Sequence, residues 1–145
     1  YFKQYSDIQA TVLENQVKKT NVPYDMLTMN HAIVKALEAA LKCDEFDNQP
    51  NEKGKVKPRF RQANAQRYQQ VRLNAINAGQ FDYNLKDYPA AFKDFALYVE
   101  SCTAPLFTGI NLNEQYMHEI AYFASLAAYQ YKDWPNVVKY AKIAC

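Results

Sequence analysis

Only three glycines and six prolines occur in this 145-residue chain, and they fall between segments of apolar periodicity. So sparse a set of turn residues excludes a many-turned β fold and favours long helices. Cysteine is scarce as well. Cys43, Cys102 and Cys145 are far apart, odd in number and without metal-ligand spacing, so no disulfide framework is expected. Cys43 and Cys145 fit helical packing positions. Charge of one sign is also lacking, with 17 Lys and Arg against 15 Asp and Glu. The net charge of +2 is too mild to imply nucleic acid or an anionic membrane. No apolar run approaches the roughly 20 residues needed to cross a bilayer. What the chain has is apolar weight. Hydrophobic residues reach 49% against 22% charged, enough for one domain with a continuous core and too much for general disorder. Its 12 tyrosines suit helices whose rings fill space while the hydroxyls stay near water.

Helical periodicity begins at once. Phe2, Tyr5, Ile8, Val12, Leu13 and Val17 form a stripe over residues 1–20, closed by Lys18 and Lys19, cations that suit a last helical turn. Asn21-Val22-Pro23 breaks that helix and opens a second, about Pro23 to Cys43, with Met26, Met29, Ile33, Leu37, Ala40 and Leu41 on one face. Residues 44–57 (DEFDNQPNEKGKVK) are a polar connection without apolar period. From Pro58 no glycine or proline intervenes until Gly79, which predicts one long helix, about Pro58 to Leu85, buried through Phe60, Ala63, Val71, Ala75 and Ala78. A tight turn at Lys86–Asp87 leads into a helix with Pro89 in its first turn and Ala91, Phe92, Phe95, Tyr98 and Val99 on its packing face. That helix ends near Ser101. The loop 102–110 (CTAPLFTGI) carries Leu106, Phe107 and Ile110 and is expected to fold back onto an apolar surface. Asn111 with Glu114 reads as a capping box for a fifth helix running to about Tyr131, and a sixth starts near Pro135. The chain begins at Tyr1 rather than at a methionine, which leads us to expect a processed or excised segment with any targeting signal out of view.

The stretch Gly79–Phe95 (GQFDYNLKDYPAAFKDF) is echoed by Tyr129–Tyr140 (YQYKDWPNVVKY), and together they resemble the tetratricopeptide repeat, a helix–turn–helix unit of about 34 residues. Gly79, Tyr83, Leu85, the turn pair Asp87-Tyr88, and Ala91-x-x-x-Phe95 stand at the family's offsets. Ala75, Ala78 and Asp82 depart from its preferred Trp, Leu and Tyr. The second copy has Ser125 for the glycine, Asp133-Trp134 at the turn and Val137-x-x-x-Ala141 after it. Tyr88 and Trp134 are 46 residues apart, and the 102–113 loop accounts for the excess over the usual period. With its polar connection the chain also looks like the N-terminal part of tetratricopeptide proteins from Bacteroidetes. The resemblance implies periplasmic or cell-envelope residence, with the cytoplasm as the alternative. It also implies an all-α superhelix of antiparallel hairpins with about six helices. The single domain 1–145 then divides into an N-terminal hairpin (1–43), a polar loop (44–57), a repeat with an extended first helix (58–101), and a truncated second repeat (111–145).

No catalytic set is visible. His31 and His118 are isolated, with no second histidine or carboxylate at a helical offset to define a metal face. No Ser/His/Asp or Cys/His group converges, so no enzyme activity, metal or cofactor is expected. Asp44, Glu45, Asp47 and Glu52 fail the spacing of a calcium loop. The cations Lys53, Lys55, Lys57, Arg59, Arg61 and Arg67 suggest a nucleic-acid or phosphate-binding arm, against which stands a solvated loop balanced by those acids. The resemblance instead implies a protein-interaction scaffold whose partner, a peptide or protein, lies along the first helix of each repeat. Carried over by motif, that surface is Ile76, Gln80, Tyr83 and Asn84, then Glu119, Tyr122, Tyr129 and Gln130, and their spacing puts each set on one helix face. The alternative for the tyrosines is inter-helix packing. Ile76, Gln80 and Phe123 stand where chaperone-tail binders of the family need polar or cationic clamps, which disfavours that ligand. A competing role is structural: a segment of a longer solenoid or a self-associating unit, because Val138 and Ile143 lack a capping helix.

Overall fold

The computed structural model describes residues 26–110, 112 and 115–145. The helix expected over residues 1–20, the proline that opens the next one, and the capping pair at 111 and 114 lie outside those residues. Among the described residues there are six α-helices and no strand, and no helix is long and apolar enough to cross a membrane.

Helix α1 (Met26–Asp47) carries the expected stripe inward through Ile33, Leu37 and Ala40. It also buries Asn30, Val34, Ala36, Cys43 and Asp44, so more than one face is covered. It runs past Cys43 because its last turn is held from outside. The buried Asp44 carboxylate accepts two hydrogen bonds from Arg61, Nε at 2.7 Å and Nη2 at 2.8 Å, and the Asn48 amide donates to the Asp44 carbonyl at 2.8 Å. The polar connection is also tied down. The Asn51 side-chain oxygen accepts the backbone N–H groups of Lys53 and Lys55, and Asp47 accepts that of Phe60.

The long helix expected from Pro58 to Leu85 is two helices, α2 (Arg61–Val71) and α3 (Asn74–Asn84). Arg72 and Leu73 keep right-handed helical dihedrals, but Leu73, Ala75 and Ile76 donate to carbonyls three residues back, tightening the joint. The buried face of α2 is Asn64, Ala65 and Tyr68, whereas Ala63 is exposed and Phe60 and Val71 are only half-buried. Packing sets the break. Arg72 is 1% exposed, with its guanidinium 5.2 Å from the Tyr98 ring centroid and 6.0 Å from that of Phe107, and Nη1 donating to Ser101 Oγ at 3.4 Å. The same contact draws in the loop after α4: Leu106 and Phe107, on a short 3₁₀ turn (Pro105–Phe107), are buried as expected.

From α3 the helices pack in series: α3 on α4 (Tyr88–Cys102), α4 on α5 (Met117–Gln130), and α5 on α6 (Trp134–Ala144), with α1 covering the other side of α3. The first helix of each pair offers small residues. Ala75, Ala78 and Gly79 on α3, and Ala121, Ala124, Ala127 and Ala128 on α5, are buried. Helix α4 supplies the bulk: Phe95 packs 6.0 Å from Phe123 with the rings tilted 33°, and Phe92 meets Tyr140 edge-on at 5.4 Å.

The two turns match closely. Lys86 (φ 63°) and Lys132 (φ 65°) sit in the left-handed region that ends a helix. Lys86 N–H donates to the Tyr83 carbonyl at 3.0 Å and Asp87 N–H to that of Asp82 at 2.9 Å. In the second copy Lys132 and Asp133 donate to Tyr129 and Ala128 at 3.1 and 3.0 Å. Each aspartate then caps the next helix, Asp87 accepting from Ala90 N–H and Asp133 from Asn136 N–H. An edge-on aromatic pair braces each turn, Tyr83–Tyr88 at 5.2 Å and Tyr129–Trp134 at 5.5 Å. A lysine in this conformation carries a Cβ strain of about 1–2 kcal/mol that glycine lacks, offset in part by glycine's larger unfolded-state entropy. Lys86→Gly and Lys132→Gly should therefore each stabilise by about 0.5–1 kcal/mol in urea denaturation, and the double variant should show the sum.

Candidate functional site

The first-helix face is largely open. Of the eight residues expected there, Gln80, Asn84, Glu119, Tyr122, Tyr129 and Gln130 are exposed, with Tyr122 at 52% and Tyr129 at 55%. Ile76 and Tyr83 are half-buried: Ile76 leans on the core and Tyr83 braces its turn. Those two act mainly in packing. Phe123, next to Tyr122, is engaged with Phe95 and leaves no polar group at that position. The pattern follows from helical phase, since the alanines that face α4 and α6 leave the opposite side of α3 and α5 to longer polar and aromatic residues.

A second constellation lies where α1, α3 and α4 meet. His31 Nε2 is 3.2 and 3.1 Å from the two carboxylate oxygens of Asp82, and a carboxylate oxygen of Asp94 completes a group of ligand-type atoms within 4.8 Å of one another. Asp82 and Asp94 are buried, while the His31 side chain is 41% exposed. Asp94 Oδ2 has no hydrogen-bond partner. Burial, with the Asp82 carboxylate beside it, raises Asp94 to about 7, against the smaller opposing pull of His31 and Lys93. Sequence reasoning missed this group because the histidine has no partner on its own helix, Asp82 standing 51 positions away. One signal was available: an aspartate at a position where the resembling repeat wants a tyrosine.

Several other polar groups have structural partners. His118 Nδ1 donates to the Ile143 carbonyl at 2.7 Å, tying the start of α5 to the end of α6. Tyr140 is buried and donates to Glu100 at 2.8 Å, and its phenol is pushed up by burial and then by that carboxylate. Burial, then Asp133, pushes Tyr131 up to about 12, so both phenols stay protonated donors. In the basic run Arg61 is committed to Asp44, and Lys53, Lys55, Lys57 and Arg59 face solvent. Of the cysteines, Cys43 is buried, Cys102 donates from Sγ to the Tyr98 carbonyl at 3.3 Å, and Cys145 is exposed.

No protein-family model, curated protein or solved structure matches the chain.

The Asp94 environment fixes a pH dependence. An unfolded aspartate ionises near pH 3.9, whereas folded Asp94 holds its proton to about 7. Between those values the folded chain retains a proton that the unfolded chain has released, so rising pH disfavours folding. This contribution is fully present below about pH 4, is lost as pH rises through about 7, and then levels off, a change on the order of a few kcal/mol. Denaturant unfolding in chelator-containing buffer should show stability falling over that window. Asp94→Asn should flatten the fall, and an unchanged slope would reject the assignment.

Proposed function

We propose that this chain is a non-catalytic protein-interaction scaffold of the tetratricopeptide type, taking a peptide or protein partner along the exposed face of α3 and α5. The observation that carries the reading is the duplication of one helix–turn–helix, down to the left-handed lysine, the capping aspartate and the aromatic brace. Duplicated hairpins packed in series set corresponding first-helix residues at regular intervals, the arrangement by which solenoids display an extended binding surface. Gln80 and Asn84 on α3, and Glu119, Tyr122, Tyr129 and Gln130 on α5, supply that surface with amides, phenols and one carboxylate. Tyrosine suits the role because a rigid ring gives contact area at low entropy cost and its hydroxyl serves a partner backbone.

Photo-crosslinking tests the reading in a lysate of the source cell. A benzoylphenylalanine at Tyr122 or Tyr129 should give discrete partner adducts, while one at exposed Lys35 on α1 should not. The triple variant Gln80→Ala, Asn84→Ala, Tyr122→Ala, all at exposed positions, should keep its helical circular dichroism. It should lower recovery of the same partner by roughly tenfold, the effect of losing one hot-spot aromatic. Equal recovery by the variant would reject this face as the site.

A further inference from the structure

We propose that His31, Asp82 and Asp94 form a binding site for a divalent first-row transition-metal ion, with zinc the ion the donors suit best. One imidazole nitrogen and two carboxylates make a mixed N/O set, harder than a thiolate site and softer than the all-oxygen shells of calcium or magnesium. Three protein donors leave a fourth position for water or a further ligand.

The geometry supports this in three ways. The imidazole nitrogen sits almost equidistant from both Asp82 oxygens, at 3.2 and 3.1 Å, astride the carboxylate rather than aligned on one lone pair. Donors around a tetrahedral zinc at about 2.0–2.1 Å stand roughly 3.3–3.4 Å apart, so this pair already has ligand-to-ligand spacing. Asp94, 4% exposed, turns its carboxylate toward the other two and leaves Oδ2 without a hydrogen bond, a buried acceptor that a cation would satisfy. The two aspartates come from different helices and face each other inside the protein, an arrangement that a cation between them relieves. A route from solvent is present through His31, whose side chain is 41% exposed. Because the donors belong to α1, α3 and α4, a bound ion would pin α1 to the first hairpin and stabilise the folded chain by linkage.

The competing account is a hydrogen-bonded cluster that needs no ion, and metal titration of the full chain separates the two. After dialysis against chelator, isothermal titration with Zn²⁺ should show one ion per chain, and Co²⁺ should produce d–d absorption in the visible. Zinc should raise Tm by several degrees. His31→Gln and Asp94→Asn should each weaken binding beyond the roughly 10–100-fold that loss of an outer-shell partner alone costs. His118→Gln and Cys145→Ser should leave it intact. His31 is partly exposed, so its variant gives a decision even if the buried one fails to fold. Absence of Zn²⁺ binding and of Co²⁺ bands in the wild type would overturn the proposal, as would binding that survives His31→Gln.

Discussion

Close approach of α3 and α4 at Gly79 is the constraint on which the rest of the packing depends. A Cβ built at that residue would lie 2.6 Å from two ring carbons of Phe95, which is itself buried. The glycine therefore serves an inter-helix contact within a helix, at a position where glycine costs about 0.8–1 kcal/mol in helix propensity. Because α3 yields that space, the Phe95 ring fits against Gly79 and lies 6.0 Å from that of Phe123 on α5. One side chain then belongs to both hairpins. The buried alanines of α5 repeat the arrangement one step along, with Tyr140 of α6 and Phe92 of α4 filling the space beside them.

Order in this series also explains where polar groups end up. The aromatic and alanine faces occupy the contacts between consecutive helices, so charge and amides are left to the outer faces and to the few places where three elements meet. One such place holds Arg72 among Tyr98, Phe107 and Ser101. Another holds His31, Asp82 and Asp94. A buried cation and a buried pair of carboxylates are costly to enclose; the Arg72 guanidinium is met by two rings and a hydroxyl, whereas the carboxylate pair is met by His31 and still leaves Asp94 Oδ2 without a hydrogen bond. The first secures the joint between α2 and α3 and the loop after α4. The second joins α1 to the hairpin and is, among the described residues, the cluster with ligand chemistry.

Local features were the legible ones. The Lys86–Asp87 turn, the helix-opening Pro89, the small Gly79 and Ala91, and the apolar residues of the 102–110 loop all appear where their own chemistry puts them, because turns, caps and small-residue contacts depend on residues a few positions apart. The break at Arg72–Leu73 has no glycine or proline to announce it, since a tertiary contact of the Arg72 side chain decides it. The same holds for the last turn of α1, which persists because Arg61 clasps Asp44 across the polar connection. On the candidate surface, helical phase placed each set on one face, yet it could not tell that of two tyrosines in matching turn braces Tyr83 is half-buried and Tyr129 more than half exposed. His31 and Asp82 were invisible as a pair for the same reason: only the packing of α1 on α3 brings them together.

The direct test of this account is the stability of Gly79→Ala, measured by urea denaturation alone and with Phe95→Leu in a double-mutant cycle. Helix propensity by itself predicts a gain of about 1 kcal/mol. Overpacking a core costs about 1–3 kcal/mol, and a Cβ only 2.6 Å from two carbons of a buried ring puts this site toward the upper end, above that gain. The account predicts net destabilisation of about 1 kcal/mol or more, with Phe95→Leu costing less in the Gly79→Ala background than in the wild type. A stabilised Gly79→Ala variant, with no coupling to Phe95, would contradict it.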